Sequence, residues 1–170
     1  MRRKHGFSVF LILWVSFSTG LLLSGCGYSV YTRSDLPFKE INIGTIENKT
    51  LEPKLQDKLH AALTEEFMKN GIMVNPYADT KISAVVHKFD MTVLSEKNEI
   101  AVEYRVLINA DFIVEYKDGK KKDFRKIDSP FIISFVSTDD LAMLLAKKEL
   151  VEKKAMSDVA MRIIGALIYK

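Results

Sequence analysis

Residues 39–170 predict an α+β domain, a two-layer sandwich with two helices packed on one face of a mostly antiparallel sheet with long strands. Three observations carry that expectation. From residue 100 to residue 116 every even position is apolar: Ile100, Val102, Tyr104, Val106, Ile108, Ala110, Phe112, Val114 and Tyr116. This is the two-residue period of a strand with one buried face. The stretches 55–67 and 141–167 instead repeat apolar residues every three or four positions, as amphipathic helices do. The segments run β-α-β-β-β-β-α, and such a sheet buries its apolar face under helices gathered on one side.

Each element has a local cause. Ile41, Ile43 and Thr45 alternate with Glu40, Asn42 and Gly44, a short strand. Residues 47–50 form a polar break, and Thr50 or Glu52 is expected to cap the helix that Pro53 opens. Leu55, Leu59, Ala62, Leu63 and Phe67 make its apolar stripe, and Asn70-Gly71 ends it. A brief strand at 72–74 and a loop at 76–80 follow. Residues 81–95 and 121–135 are the antiparallel neighbours of the central strand. Their less regular alternation predicts one bulge near His87 and another near Ser129-Pro130. Turns are expected at 96–98 and 117–120, where Asp118-Gly119 is a hairpin signal.

The odd positions of the central strand include Glu103, Arg105, Asn109, Asp111 and Glu115, with Leu107 and Ile113 as apolar exceptions. That face is expected to meet water or a partner, and loss of the Asp111 side chain should be nearly neutral in the isolated domain. At about 3.3 Å per residue the strand would run roughly 56 Å, so a bend is expected. The last helix, 139–169, is capped by Thr138 or Asp139. It should bury Leu141, Leu144, Leu145, Val151, Ala155, Val159, Ile163 and Leu167, with an interruption at Lys148. Val106, Ile108 and Phe112 are expected to pack beneath Leu59, Leu63 and Ile163.

The N-terminus is read separately. Arg2, Arg3 and Lys4 precede an apolar run over 7–23, and Leu23-Ser24-Gly25-Cys26 has the form of a bacterial lipobox. Residues 1–25 are therefore expected to be a lipoprotein signal peptide and 26–38 a lipidated tether, with an acyl and diacylglyceryl group on Cys26. Each buried CH₂ of such chains contributes about 0.8 kcal/mol, so three chains anchor the protein to its membrane permanently. A transmembrane anchor fits less well, because Ser16, Ser18, Thr19, Gly20 and Ser24 dilute the run and no basic stop-transfer cluster follows. Gly27, where enterobacterial lipoproteins kept at the inner membrane carry Asp, points to the outer membrane.

Removing residues 1–25 from 170 leaves 145 residues, one domain in size, with 22 basic and 22 acidic side chains. That balance argues against a nucleic-acid partner. Cys26 is the only cysteine, which excludes an intrachain disulfide or a thiolate metal site. His60 and His87 lack any partner at metal-ligand spacing, and no GxSxG elbow, GxGxxG turn or P-loop occurs. Glu65-Glu66 and Asp139-Asp140 diverge by roughly 100° on a helix and cannot share a site. The chain reads as a non-enzyme, with no metal and no cofactor besides the lipid on Cys26. Asn48-Lys49-Thr50 reads as turn chemistry. Lys120, Lys121 and Lys122, with Arg125 and Lys126, form the densest basic cluster. It is either a solvated hairpin tip or a contact for phosphorylated lipid headgroups.

The stretch from Leu36 to Pro53 (Leu-Pro-Phe-Lys-Glu-Ile-Asn-Ile-Gly-Thr-Ile-Glu-Asn-Lys-Thr-Leu-Glu-Pro) resembles the LptE lipopolysaccharide-assembly lipoproteins. Cys26-Gly27-Tyr28 matches their Cys-Gly-aromatic start, and Val102-Glu103-Tyr104-Arg105 resembles their long central strand. The resemblance covers essentially the whole mature chain. It implies a plug inside an LptD-type outer-membrane barrel, a part in that barrel's assembly, and binding of lipopolysaccharide. Family contacts with lipopolysaccharide map onto Lys97, at the turn before the central strand, and onto Lys147 with adjacent Lys148, near the start of the last helix. Lys120, Lys121 and Lys122 are added as further phosphate partners. The alternative is a free-standing, lipid-anchored periplasmic carrier, which would need apolar residues on both sheet faces.

The N-terminal reading has a direct check. Cys26→Ser is expected to leave unprocessed precursor and to abolish incorporation of labelled palmitate; continued labelling would refute acylation at this residue.

Overall fold

The computed structural model describes residues 36–98, 100–134 and 141–168. In chain order the elements are β1 (Glu40–Asn48), α1 (Leu55–Lys69), β2 (Met73–Val74), β3 (Lys81–Lys97), β4 (Ile100–Glu115), β5 (Lys121–Ser134) and α2 (Leu141–Ile168). One sheet has the order β2-β1-β3-β4-β5. β1 runs parallel to both β2 and β3, and the β3–β4 and β4–β5 pairs are antiparallel. The parallel ladders are short, so the sheet is mostly antiparallel. Long strands are confined to β3, β4 and β5; β2 has only two residues. Cys26, Thr138, Asp139, Asp140 and the rest of the leader and tether before residue 36 lie outside the described residues.

Both helices bury their stripes on the same face of the sheet. Leu55, Leu59, Leu63 and Phe67 of α1 share one core with Val151, Ala155, Val159 and Ile163 of α2 and with Val106, Ile108, Ala110, Phe112 and Val114 of β4. Val106, Ile108 and Phe112 belong to the same buried core as Leu59, Leu63 and Ile163. The chain packs from before residue 39: Leu36 and Phe38 lie against this core. Leu145, expected in the α2 stripe, is 56% exposed. α1 has 15 residues against 28 for α2. Lys58, in the first turn of α1, already meets Glu152, so the opening turns of α2 extend past the end of its neighbour.

The helix ends follow different rules. At the C-terminus of α1, Ile72 N–H donates to Phe67 O at 2.9 Å and Gly71 N–H to Met68 O at 3.0 Å, with Gly71 at φ 75°. This is a Schellman closure, sealed by burial of Ile72 beside Phe67. At the N-terminus neither Thr50 nor Glu52 caps α1. Lys54 holds the cap position at φ 62°, with no side-chain cap. Thr50 is engaged elsewhere: its N–H and hydroxyl donate to Asn48 Oδ1 at 3.0 and 2.8 Å, while Asn48 Nδ2 donates to Glu52 O at 2.7 Å. Asn48 thus builds the loop that sequence patterning assigned to a cap.

Besides irregular pairing between Val93 and Glu96 near the β3–β4 turn, two bulges along the core-facing part of the sheet keep the buried face continuous. Val86 pairs with Ala110 and Lys88 with Asn109, leaving His87 as the extra residue of β3. The core face of β3 thereby switches from Ile82, Ala84 and Val86 to Phe89 and Met91. The second bulge lies at Arg125-Lys126, not at Ser129-Pro130. Phe124 pairs with Phe112 and Ile127 with Ala110, while Ser129 and Pro130 stay in register with Ile108 and Leu107. Pro130 is tolerated because β5 is an edge strand. Lys126 takes the irregular conformation, φ 55°, and its N–H donates to Asp111 Oδ1 at 2.8 Å. The other carboxylate oxygen, Oδ2, lies 3.1 Å from His87 Nε2, so Asp111 ties the two bulges together.

Phe112→Ala is expected to cost about 3–5 kcal/mol in urea melts, since its ring is fully enclosed. Asp111→Ala, nearly neutral on sequence grounds, should instead cost about 1 kcal/mol by orphaning the Lys126 N–H. That N–H, with help from His87, holds the Asp111 carboxyl below the ordinary carboxylate range. A lowered carboxylate stabilises at neutral pH, and that contribution is lost as pH falls through the depressed value. Asp111→Asn should therefore flatten the acid limb of the stability curve, and an unchanged limb would rule this carboxylate out as its source.

Candidate functional site

The candidate lysines occupy separate places. Lys97 is the last residue of β3, exposed, and pairs with Ile100 at the start of β4. Lys121 and Lys122 pair with Glu115 and Val114 at the other end of β4. The 16 residues of that strand put the two groups on the order of 50 Å apart. Lys97 and the Lys120–Lys122 group therefore cannot grip one headgroup together. Lys147 and Lys148 lie in the second turn of α2. The opposite end of α2, Leu167 and Ile168, borders the cleft at the β4–β5 turn. Lys147 is thus about 30 Å of helix away from that turn, toward the Lys97 half of the domain.

The β4–β5 turn is built by Gly119, at φ 79°, and by hydrogen bonds from Tyr116 N–H to Lys120 O and from Gly119 N–H to Tyr116 O, 2.9 and 2.8 Å long. Around it Lys117 pairs with Asp79 at 2.8 Å, Lys120 with Asp118 at 2.7 Å and Lys121 with Glu115 at 3.2 Å. The Lys122 ammonium sits 4.7 Å from the centre of the Phe124 ring. Hydrogen bonds to Asp79 and Asp118 raise the pKa of Lys117 and Lys120, so these side chains carry full charge.

Lys148, grouped with Lys147 on sequence grounds, is turned to a structural task. Its ammonium lies 2.8 Å from Glu52 Oε2 and 3.7 Å from Glu152 Oε1, and the Glu52 bond raises its pKa. Glu152 is buried and also bonds Lys58. Two lysines and two carboxylates thus join the β1–α1 loop, α1 and α2. Glu152 and Lys58 are not among the residues singled out by the sequence pattern. The available signal was the Lys148–Glu152 pair, two opposite charges four residues apart on an apolar stripe.

The sheet face away from the helices is polar, as its alternation predicts. Arg105 is exposed, and Asn109, Asp111 and Glu115 are half-buried; Asn109 Nδ2 donates to Asp128 Oδ1 at 2.6 Å. A concavity of about 360 Å³ lies here between His87, Asp111, Glu47, Asp123 and Arg125. Ile113, 45% exposed, and the half-buried Leu107 are the apolar exceptions on this face of β4. Among the described residues no group of three His, Cys, Asp or Glu side chains is placed to hold a metal ion. No helix among them is long and apolar enough to cross a membrane.

Residues 38–167 match the family model described as LptE, lipopolysaccharide-assembly. This chain belongs to the LptE family. Membership assigns it a role in lipopolysaccharide assembly, within a family of non-catalytic lipoproteins. Among solved structures, rare lipoprotein B from Shewanella oneidensis shares 14% identity at a TM-score of 0.51, over 75% of this chain and 92% of that one. A putative lipoprotein from Caulobacter crescentus shares 15% at 0.50, over 73% and 88%. At such identities these two share the fold of this LptE-family chain. None of the curated protein sequences compared matches it.

Glu152→Ala is expected to destabilise this LptE-family domain by about 2–3 kcal/mol, less than a fully enclosed pair because both lysine heads are partly wet. Restoring stability with Lys58→Met in the same chain would identify the stranded lysine as the cause; a variant as stable as the parent in urea melts would show that the cluster contributes nothing.

Proposed function

We propose that this LptE-family protein is an outer-membrane lipoprotein, anchored on the periplasmic side through acyl chains on Cys26. In this reading it plugs an LptD-type β-barrel, helps that barrel assemble, and binds lipopolysaccharide during delivery to the cell surface. The observation that carries the proposal is the family match across residues 38–167. The arrangement of the domain supports it. A barrel lumen is polar, and the helix-free sheet face offers Arg105, Asn109, Asp111 and Glu115 to such a wall. Long strands packed under two helices give the stiffness a plug requires. A free-standing carrier fits less well, since the β4 residues described on that face are mostly polar or charged.

Lipopolysaccharide contact is assigned to Lys97 and Lys147, in the half of the domain away from the β4–β5 turn. An ammonium offers three donors to a phosphate oxygen, and such contacts weaken as salt shortens the Debye length from about 10 Å at 0.1 M to about 3 Å at 1 M. Lys148 serves this end indirectly, by fixing the second turn of α2 against Glu52 and Glu152.

Two measurements check the proposal. A large outer-membrane barrel is expected to co-purify with the full-length lipoprotein in detergent; purification of the lipoprotein alone from intact membranes would overturn the plug. The Lys97→Glu, Lys147→Glu variant should fold by circular dichroism and retain the barrel, yet lose about tenfold or more in salt-sensitive pulldown on immobilised lipopolysaccharide. Equal loss in a Lys154→Glu control would mean that these lysines are only a solvated surface.

A further inference from the structure

The lysine-rimmed cleft at the β4–β5 turn has a volume of about 790 Å³, and one side of it is apolar: Pro37, Leu167 and Ile168. Three observations bear on its occupant. Residues 117–126 hold six cations and two carboxylates, in a chain whose 145 residues after the leader are balanced in charge. Tyr77 is 91% exposed, in the loop whose Asp79 pairs with Lys117; an exposed tyrosine ring suits the depth of lipid headgroups. Pro37 lines the cleft, and the Phe38 ring is seated 6.3 Å from that of Tyr116. The first described residues, those nearest Cys26 in the chain, therefore lie at this end of the domain.

Cys26 stands eleven residues before Pro37, so at full extension it is at most about 36–40 Å away. We infer that this cleft is a membrane-docking face, its lysines resting on the anionic phospholipid headgroups of the leaflet that holds the acyl chains. The inference rests on the reading of Cys26 as the lipid anchor. The existing ion pairs do not oppose it. The side chains of Lys117 and Lys120 are more than four-fifths exposed, such pairs are weak, and a phosphate can replace a carboxylate as the partner of an ammonium. The anchor supplies proximity, and the headgroup charge supplies orientation within a Debye length of the surface.

The test uses the full-length processed lipoprotein reconstituted in lipopolysaccharide-free vesicles. Cys26 is the only cysteine and its thiol is acylated in this reading, so Tyr77→Cys provides a single site for an environment-sensitive fluorophore. In vesicles containing phosphatidylglycerol the label is expected to shift to the blue and to be quenched by spin-labelled headgroups. In pure phosphatidylcholine, or at 1 M salt, both effects should disappear. Lys120→Glu with Lys121→Glu and Lys122→Glu should lower the docked fraction roughly tenfold or more, whereas Lys153→Glu with Lys154→Glu should leave it unchanged. A label that stays in water on phosphatidylglycerol vesicles, or that responds only when lipopolysaccharide is added, overturns the inference. Retention on phosphatidylcholine vesicles at 1 M salt reads the anchor separately. Loss of retention there would refute acylation, and a salt-sensitive response on phosphatidylglycerol from Tyr77→Cys combined with Cys26→Ser, which leaves one thiol to label, would still uphold the docking face.

Discussion

One dry face of β4 governs the arrangement of everything around it. Val106, Ile108, Ala110, Phe112 and Val114 are all buried, and β4 is hydrogen-bonded along its length to β3 on one side and β5 on the other. A slip of one residue in either ladder would turn a whole set of apolar side chains into water. The neighbours meet this constraint by inserting single residues. The core face of β3 moves from Val86 to Phe89 across His87, and that of β5 from Phe124 to Ile127 across Arg125-Lys126. Each bulge resets the phase of its strand while the phase of β4 stays fixed from Tyr104 to Glu115. Asp111, on the opposite face of β4, touches both. The wet side of the central strand thus holds the irregularities that keep its dry side regular.

The second organising device is polar. Glu152 lies inside the stripe of α2, and its charge is matched by Lys58 and Lys148. Pairs of this kind add little net stability compared with apolar side chains, but they penalise every arrangement that leaves one charge alone. Here they select one relative placement of the β1–α1 loop, α1 and α2, because Lys148 must reach Glu52 and Glu152 together. An apolar seam would allow the helices to slide along one another; the four charges do not.

Much of this was legible in the sequence because it depends on period. The alternation from Ile100 to Tyr116, the stripe from Leu55 to Phe67 and the signals at Asn70-Gly71 and Asp118-Gly119 are local, and each lies where patterning places it. What patterning could not supply depends on partners distant in the chain. Leu145 fits the α2 stripe but has no helix opposite it. Pro130 looks like a break, yet an edge strand accepts it in register. Thr50 and Glu52 look like caps until Asn48 takes one and Lys148 the other. The candidate lysines divide in the same way. Their residue type was readable, but the length of β4 that separates Lys97 from Lys121 became a physical distance only when the strand was seen to pair from Ile100 to Glu115 as one element of the sheet.

The position of β1 carries a consequence for how the chain reaches this state. It lies nearest the N-terminus, yet it is an interior strand, flanked by β2 and β3, which both come later. Its parallel contact with β3 joins Asn42 to Lys81, whereas the β3–β4 and β4–β5 contacts close through tight turns. Closure entropy favours the short connections first. By that measure the hairpins cost least to close, and the β1–β3 pairing, which must span α1, costs most. In a chain delivered from its N-terminus, Ile41 and Ile43 emerge first and are covered last. Until that pairing is made, the apolar strand β1 is open to pairing with the wrong partner.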